Sequence, residues 1–297
     1  MKSRYRISSV EGNRQRLDGG AMFGNAPRAL WQRWIEADSR HRIELACRAF
    51  LIHDLKEDRR ILLEAGVGFS FEPKLRDRFG VEVPNDGDPH LLLANLKALG
   101  VASHQIDQIV ISHLHFDHAG GLLSTWCEDA PAQLVFENAE FIVGQKAWER
   151  ARAPHLRDKA SFLPHLNDLL EASGRLRLVE AQDAAEVLGT DFGFHLSDGH
   201  TPGMLLTELK RDGQGALFCG DLVPGAPWVH LPITMGYDRF PEGVIDEKKI
   251  LVGRAQQQGI WLLFAHDPDV TACRVGLDQR GRYCSDQATS GAFQLDL

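Results

Sequence analysis

The chain has 297 residues and a formal net charge of −8, with 43% apolar and 25% charged residues. That composition can fill a large core, and an acidic balance argues against binding to nucleic acid or to an anionic membrane surface. No run of about 18 apolar residues occurs, so no membrane-spanning helix is expected. The basic start, Met1 to Arg6, has no apolar region behind it and does not read as a signal peptide. Five dispersed cysteines without a CxxC pair suggest free thiols in a reducing compartment, and so a cytoplasmic protein.

In chain order, residues 18–24 (DGGAMFG), followed by Trp31 and Trp34, read as a turn and packed loop, with a lid or pocket wall as the alternative. Apolar runs predict strands over 43–52 and 60–65, joined by the mixed-charge solvated run 56–60. Helices are expected over 73–79 and 90–99, then a strand over 108–112. A strand over 140–143 leads into a helix over 144–152, and a second helix over 164–172 follows. Short strands are read over 177–179, 193–197, 204–209 and 215–219. A helix over 246–257 and a strand over 260–265 complete the pattern. Strand runs at both ends with helices between them fit an α/β protein in which two sheets pack together under outer helices.

The strand over 108–112 runs into His113-Leu114-His115-Phe116-Asp117-His118-Ala119-Gly120-Gly121. Residues 113 and 115 point the same way in extended geometry, and Asp117 and His118 fall where the chain turns toward a helix. Imidazole and carboxylate together suit zinc, iron(II), manganese or cobalt. A buried polar cluster of this density is costly without a cation. Three later motifs each offer a further ligand at a strand end: Asp198-Gly199-His200-Thr201-Pro202-Gly203, Phe218-Cys219-Gly220-Asp221 and Phe264-Ala265-His266-Asp267.

The order HLHFDH, DGHTPG, GD, AHD resembles the metallo-β-lactamase superfamily, from the strand at Ile43 to His266. The resemblance implies one metallo-β-lactamase-like domain over 1–297 with an αββα four-layer sandwich and a binuclear metal site. It implies that His113, His115 and His200 hold one ion, that Asp117, His118 and His266 hold the other, and that Asp221 bridges them. Zinc is the default metal, with iron, manganese or cobalt as alternatives.

Among the family's branches, the β-lactamases carry Cys where Asp221 stands, and Cys219 reads as a buried strand residue. The diiron branch carries Glu where His115 stands. Glyoxalase II shares the ligand set but adds a C-terminal helical region, whereas 31 residues follow His266 here. HFDHAGG, DGHTPG and the 18–24 segment are most similar to quorum-quenching lactonases, and 224–238 is similar to these and to the organophosphate hydrolases. The expected reaction is opening of an acyl-homoserine-type lactone by a metal-bridging hydroxide, with Asp117 passing a proton to the leaving alkoxide. A phosphotriesterase or arylesterase at the same site, and a non-catalytic metal-binding protein, are the alternatives. Pro224 stands where the lactonases have an oxyanion-assisting Tyr, so Tyr237 becomes the candidate helper, against a packing role. Glu64 stands where the superfamily usually has Asp and is expected to orient a metal ligand from behind. Phe23, Phe69, Trp228, Met235 and Phe240 are candidates for an acyl-chain pocket or for ordinary core. His230 is a candidate to approach the site or to pack. The expected partner is a small ester or lactone, with a homodimer as a further possibility.

Overall fold

The computed structural model describes residues 3–297. Its contacts divide the chain into two compact units that interleave in sequence. The first comprises the chain up to Gln15, Ala46–Val179 and Gln294–Asp296. The second comprises Arg16–Leu45, Glu180–Phe293 and Leu297.

The first unit is built on a seven-stranded sheet in the order Gln294–Asp296, Tyr5–Val10, Ala49–Asp54, Arg59–Leu63, Gln108–Ile111, Glu140–Gly144, Leu176–Val179. The first three pairings are antiparallel and the last three parallel. Gln108–Ile111 and Glu140–Gly144 read as continuous apolar runs because both faces are covered. Helices Leu91–Ala98, Gln145–Arg152 and Pro164–Ala172 cover them, setting Leu92, Leu96, Trp148 and Leu166 against Ile109, Ile111 and Phe141.

The second unit carries a six-stranded sheet in the order Tyr283–Ser290, Val270–Leu277, Trp261–Leu263, Gln214–Phe218, Met204–Arg211, Phe192–Ser197. Helix Pro241–Gln258 contributes Val244, Leu251, Val252 and Ala255 to the core that holds Met204, Leu206, Leu217 and Leu262. Among the described residues no helix is long and apolar enough to cross a membrane.

Several elements differ from the sequence reading. The run 43–52 is two strands, Arg42–Leu45 beside Gln15–Asp18 and Ala49–Asp54 in the seven-stranded sheet. The break falls where Gly66, at φ +68°, lets its backbone press on Cys47; a Cβ there would sit 2.5 Å from the Cys47 carbonyl oxygen. The apolar pattern of 43–52 does not by itself reveal such a contact. The last helix starts at Pro241, ahead of the predicted 246, with proline in its first turn. That proline is a start signal legible in the sequence. The 18–24 segment forms a short helix, Gly19–Phe23, whose amide at Ala21 donates to Asp18 Oδ1 at 2.8 Å. Phe23 is fully buried between Trp228 and Trp31, with ring centroids 4.4 and 5.6 Å away.

Candidate metal centre

In the first unit, parallel pairing of Arg59–Leu63 with Gln108–Ile111 brings both C-terminal strand ends to one edge of the sheet. Glu64 follows the first strand, and Ser112 and His113 follow the second. His115 then precedes a short helix, Phe116–Ala119, that carries Asp117 and His118. All four predicted ligands are buried, His113 and His118 to 1% exposure. His113 Nε2 lies 2.9 Å from His115 Nδ1. Ligand atoms of His113 and His118, and of Asp117 and His118, approach within 4.8 Å.

Carboxylate and amide partners fix these side chains from behind. Glu64 Oε2 lies 2.7 Å from His118 Nδ1, while Glu64 Oε1 accepts the Ser112 amide at 2.6 Å. Glu64 adopts φ +69°, a left-handed conformation uncommon outside glycine. Its carboxylate is thus aimed at His118 from a conformation that an ordinary strand residue does not adopt. Gln15 is fully buried, and its Nε2 donates to Asp117 Oδ2 at 2.7 Å. Backbone bonds from Ala65 N to His118 O and from Gly121 N to Gly66 O, each 2.9 Å, bind the ligand loop to the segment after Glu64.

In the second unit, Gln214–Phe218 runs parallel to Trp261–Leu263 and antiparallel to Met204–Arg211. The C-terminal ends of the first two strands and the N-terminal end of the third therefore share one edge. Asp221, His266 and His200 follow or precede those ends. Asp221 Oδ2 lies 3.2 Å from His200 Nε2, and Asp221 Oδ1 lies 3.1 Å from His266 Nε2. Asp238 Oδ1 lies 2.9 Å from His200 Nδ1, and Asp238 Oδ2 accepts the Met235 amide at 2.7 Å. Pro224 accepts the His266 amide at 3.0 Å through its carbonyl.

Helix Pro241–Gln258 supports this half of the site with two adjacent charged residues. Glu247 accepts Ser197 Oγ at 2.6 Å and the Asp198 amide at 2.8 Å, holding the turn that carries His200. Lys248 is fully buried, and its Nζ donates to the carbonyls of His230, Leu231 and Ile233 at 3.0, 3.1 and 2.8 Å. Burial pushes the Lys248 ammonium down to about 7, and the Asp238 carboxylate raises it in part.

The donor set suits a divalent cation. Imidazoles and carboxylates are buried together in both units, and His118 and His200 each have Nδ1 against a carboxylate, which leaves Nε2 to serve as a ligand. Tyr237 is 40% exposed and precedes Asp238 in the chain. Phe23, Trp228 and Met235 are core, and Phe69 packs with Phe71 and Phe116, whereas Phe240 is exposed. His230 lines a cleft of about 680 Å³ in the second unit with Trp34, Pro232 and Tyr283. Cys219 is buried just past its strand, and burial raises its thiol pKa. Gln15, Glu247 and Lys248 are supporting residues that sequence reasoning did not single out, and Asp238, the end of the 224–238 stretch, was given no role there. Each acts across 38 or more positions in the chain or through backbone carbonyls, so spacing does not reveal the partner.

Residues 42–266 match the metallo-β-lactamase superfamily, and the chain belongs to that superfamily. It has the metallo-β-lactamase fold and is a metal-dependent hydrolase. A probable metal-dependent hydrolase from Staphylococcus aureus is similar in structure, with a TM-score of 0.82 and 27% identity, covering 97% of this chain and 99% of that one. AidC, a dizinc quorum-quenching lactonase solved with a product, has a TM-score of 0.73 at 18% identity, over 98% and 97% of the two chains. The hydrolase AbOPH has a TM-score of 0.72 at 20% identity, over 96% and 94%. No curated protein matches the sequence.

Proposed function

We propose that this chain is a single catalytic domain over residues 1–297 that holds two divalent metal ions and opens a lactone ring, of the acyl-homoserine type first. The observation that carries this reading is Asp221. Its two oxygens meet two different imidazoles at 3.2 and 3.1 Å, the arrangement a carboxylate needs to serve two cations at once. His113, His115 and His200 would hold one ion and Asp117, His118 and His266 the other, with Asp221 as the carboxylate that would serve both. Zinc is the first choice, and the same ligands accept iron, manganese or cobalt. When bound, the ions supply a hydroxide near neutral pH and charge stabilisation for an ester carbonyl.

The chain's own residues supply the rest. Asp117, held at Oδ2 by Gln15, would take the proton that the attacking hydroxide carries into the new carboxyl group and pass it to the alkoxide released as the ring C–O bond breaks, leaving a carboxylate and an alcohol. Glu64 and Asp238 fix the tautomers of His118 and His200. Tyr237, whose side chain is partly exposed, donates to the developing oxyanion. The lactone assignment is supported by the similarity to AidC and by the motifs shared with the lactonases.

The test is Asp221→Ala, with metal content by elemental analysis and hydrolysis of a long-chain acyl-homoserine lactone measured beside an aryl phosphotriester. The wild type should carry two ions and favour the lactone, and the variant should lose both metal and rate. Full metal content and activity in the variant would defeat the binuclear assignment. A wild type that prefers the phosphotriester would move the substrate to that class, and metal uptake without hydrolysis of either would remove the catalytic reading.

A further inference from the structure

We infer that Lys248 is a positioning residue for the metal ligand His200, acting through the strap of residues 230–240 that it pins from below. This inference rests on the proposed metal site.

The argument follows one set of bonds within the second unit. Lys248 Nζ donates to three carbonyls of the strap, those of His230, Leu231 and Ile233. Three carbonyl acceptors use all three N–H bonds of an ammonium, so the side chain holds the strap in one conformation. Two residues beyond Ile233, the Met235 amide donates to Asp238 Oδ2 at 2.7 Å, closing the strap into a tight turn. The Gly236 amide donates to Ala21 O at 2.8 Å, anchoring the crest of that turn. The other oxygen of Asp238 lies 2.9 Å from His200 Nδ1. The strap then returns along the ligand turn, with Arg239 N donating to His200 O at 3.1 Å and Phe240 N to Gly199 O at 2.8 Å.

His200 therefore receives its Nδ1 partner and the donor to its carbonyl from one strap. A lysine buried completely is rare, because removing its charge from water is costly without partners. An apolar side chain would fill the same volume at lower cost but would remove the ammonium donor from all three carbonyls, leaving His230 O with only the Ile233 amide at 3.1 Å and taking the buried Ile233 carbonyl's bond to Lys248 away. The lysine is thus the residue that lets the strap turn inward at 230–233 and present Asp238 to the imidazole. Residues behind a metal ligand typically tune metal affinity by about 10- to 100-fold.

The experiment titrates cobalt(II) into metal-free wild type, Lys248→Met and Val252→Ala, following the visible absorption of the bound ion and the thermal melting of the metal-free protein. Val252 is a buried core residue of the same helix that makes none of the strap bonds, and its variant serves as the control for lost stability. The wild type should take two equivalents. Lys248→Met should bind one of the two at least 10-fold more weakly, with a changed visible spectrum, while Val252→Ala should melt lower yet keep both equivalents at wild-type affinity. Unchanged affinity and spectrum in Lys248→Met would overturn the inference and leave Lys248 a purely structural residue. An equal loss in both variants would overturn it too. Should Lys248→Met fail to fold, Lys248→Gln, which retains two N–H donors, is read in its place against the same outcomes. A wild type that binds no second equivalent would instead remove the binuclear reading itself.

Discussion

Glu64→Gln separates what holds the ligand loop together from what binds the ion. The wild-type carboxylate serves two donors at once, the Ser112 amide at 2.6 Å and His118 Nδ1 at 2.7 Å. A glutamine of the same volume has one acceptor oxygen and one donor nitrogen. If the oxygen stays on the Ser112 amide, the Nε2 hydrogens face His118 Nδ1. The imidazole must then accept at Nδ1 and carry its proton on Nε2, the nitrogen otherwise left for a cation. If the amide turns over, its nitrogen opposes the Ser112 N–H and a buried donor is left unpaired, at about 1–3 kcal/mol. The first arrangement keeps the backbone bond and is preferred. Metal-free Glu64→Gln should therefore melt close to the wild type, while its zinc affinity falls by about 10- to 100-fold. Competition with a chromophoric chelator measures the affinity, and circular dichroism measures the melting. Wild-type zinc affinity in this variant would refute the claim that Glu64 sets the His118 tautomer.

Gly121→Ala should be more damaging than its size suggests, because the added Cβ would lie 2.0 Å from the Ala65 carbonyl oxygen, a backbone atom that cannot move aside. A loss of about 3 kcal/mol in chemical denaturation is expected, and a variant as stable as the wild type would contradict it. Phe23→Ala removes the ring stacked between Trp31 and Trp228 and should cost about 3–5 kcal/mol, with metal stoichiometry intact in the protein that remains folded. A stability change below about 1 kcal/mol would show that the stack is not core. The pKa of His90 is lowered, chiefly by burial, while its Nε2 lies 3.0 Å from Gly121 O. Its folded form binds fewer protons than its unfolded form, so stability should be full above the unfolded value of about 6.5 and fall as pH drops below it. Denaturant midpoints of metal-free protein between pH 7 and pH 5 should fall less steeply in His90→Gln than in the wild type, and identical slopes would reject the assignment.

How much of the protein was legible depends on how far apart in sequence the interacting groups lie. The ligand loop His113–His118 was readable because one strand end, one turn and the start of one helix present its donors within six positions. Helices Pro73–Phe79 and Pro164–Ala172 were readable because each begins at a proline and keeps its own periodicity. The hairpin Val270–Leu277 with Tyr283–Ser290 was not, since its second strand is largely exposed and polar and carries no alternating pattern. The N-terminal strand Tyr5–Val10 likewise declares itself only by pairing with Ala49–Asp54 and Gln294–Asp296.

The same division runs through the site. The sequence by itself determined which donors are present and in what order, because ligand chemistry belongs to side-chain type and short spacing. Only tertiary structure decided what aims them. The left-handed backbone at Glu64, the bond from Gln15 to Asp117, the carboxylate of Asp238 behind His200 and the buried ammonium of Lys248 join residues 15 to 102 positions apart. Such partners are chosen by how strands and helices pack, and a hydrogen bond across that distance leaves no periodicity in the chain.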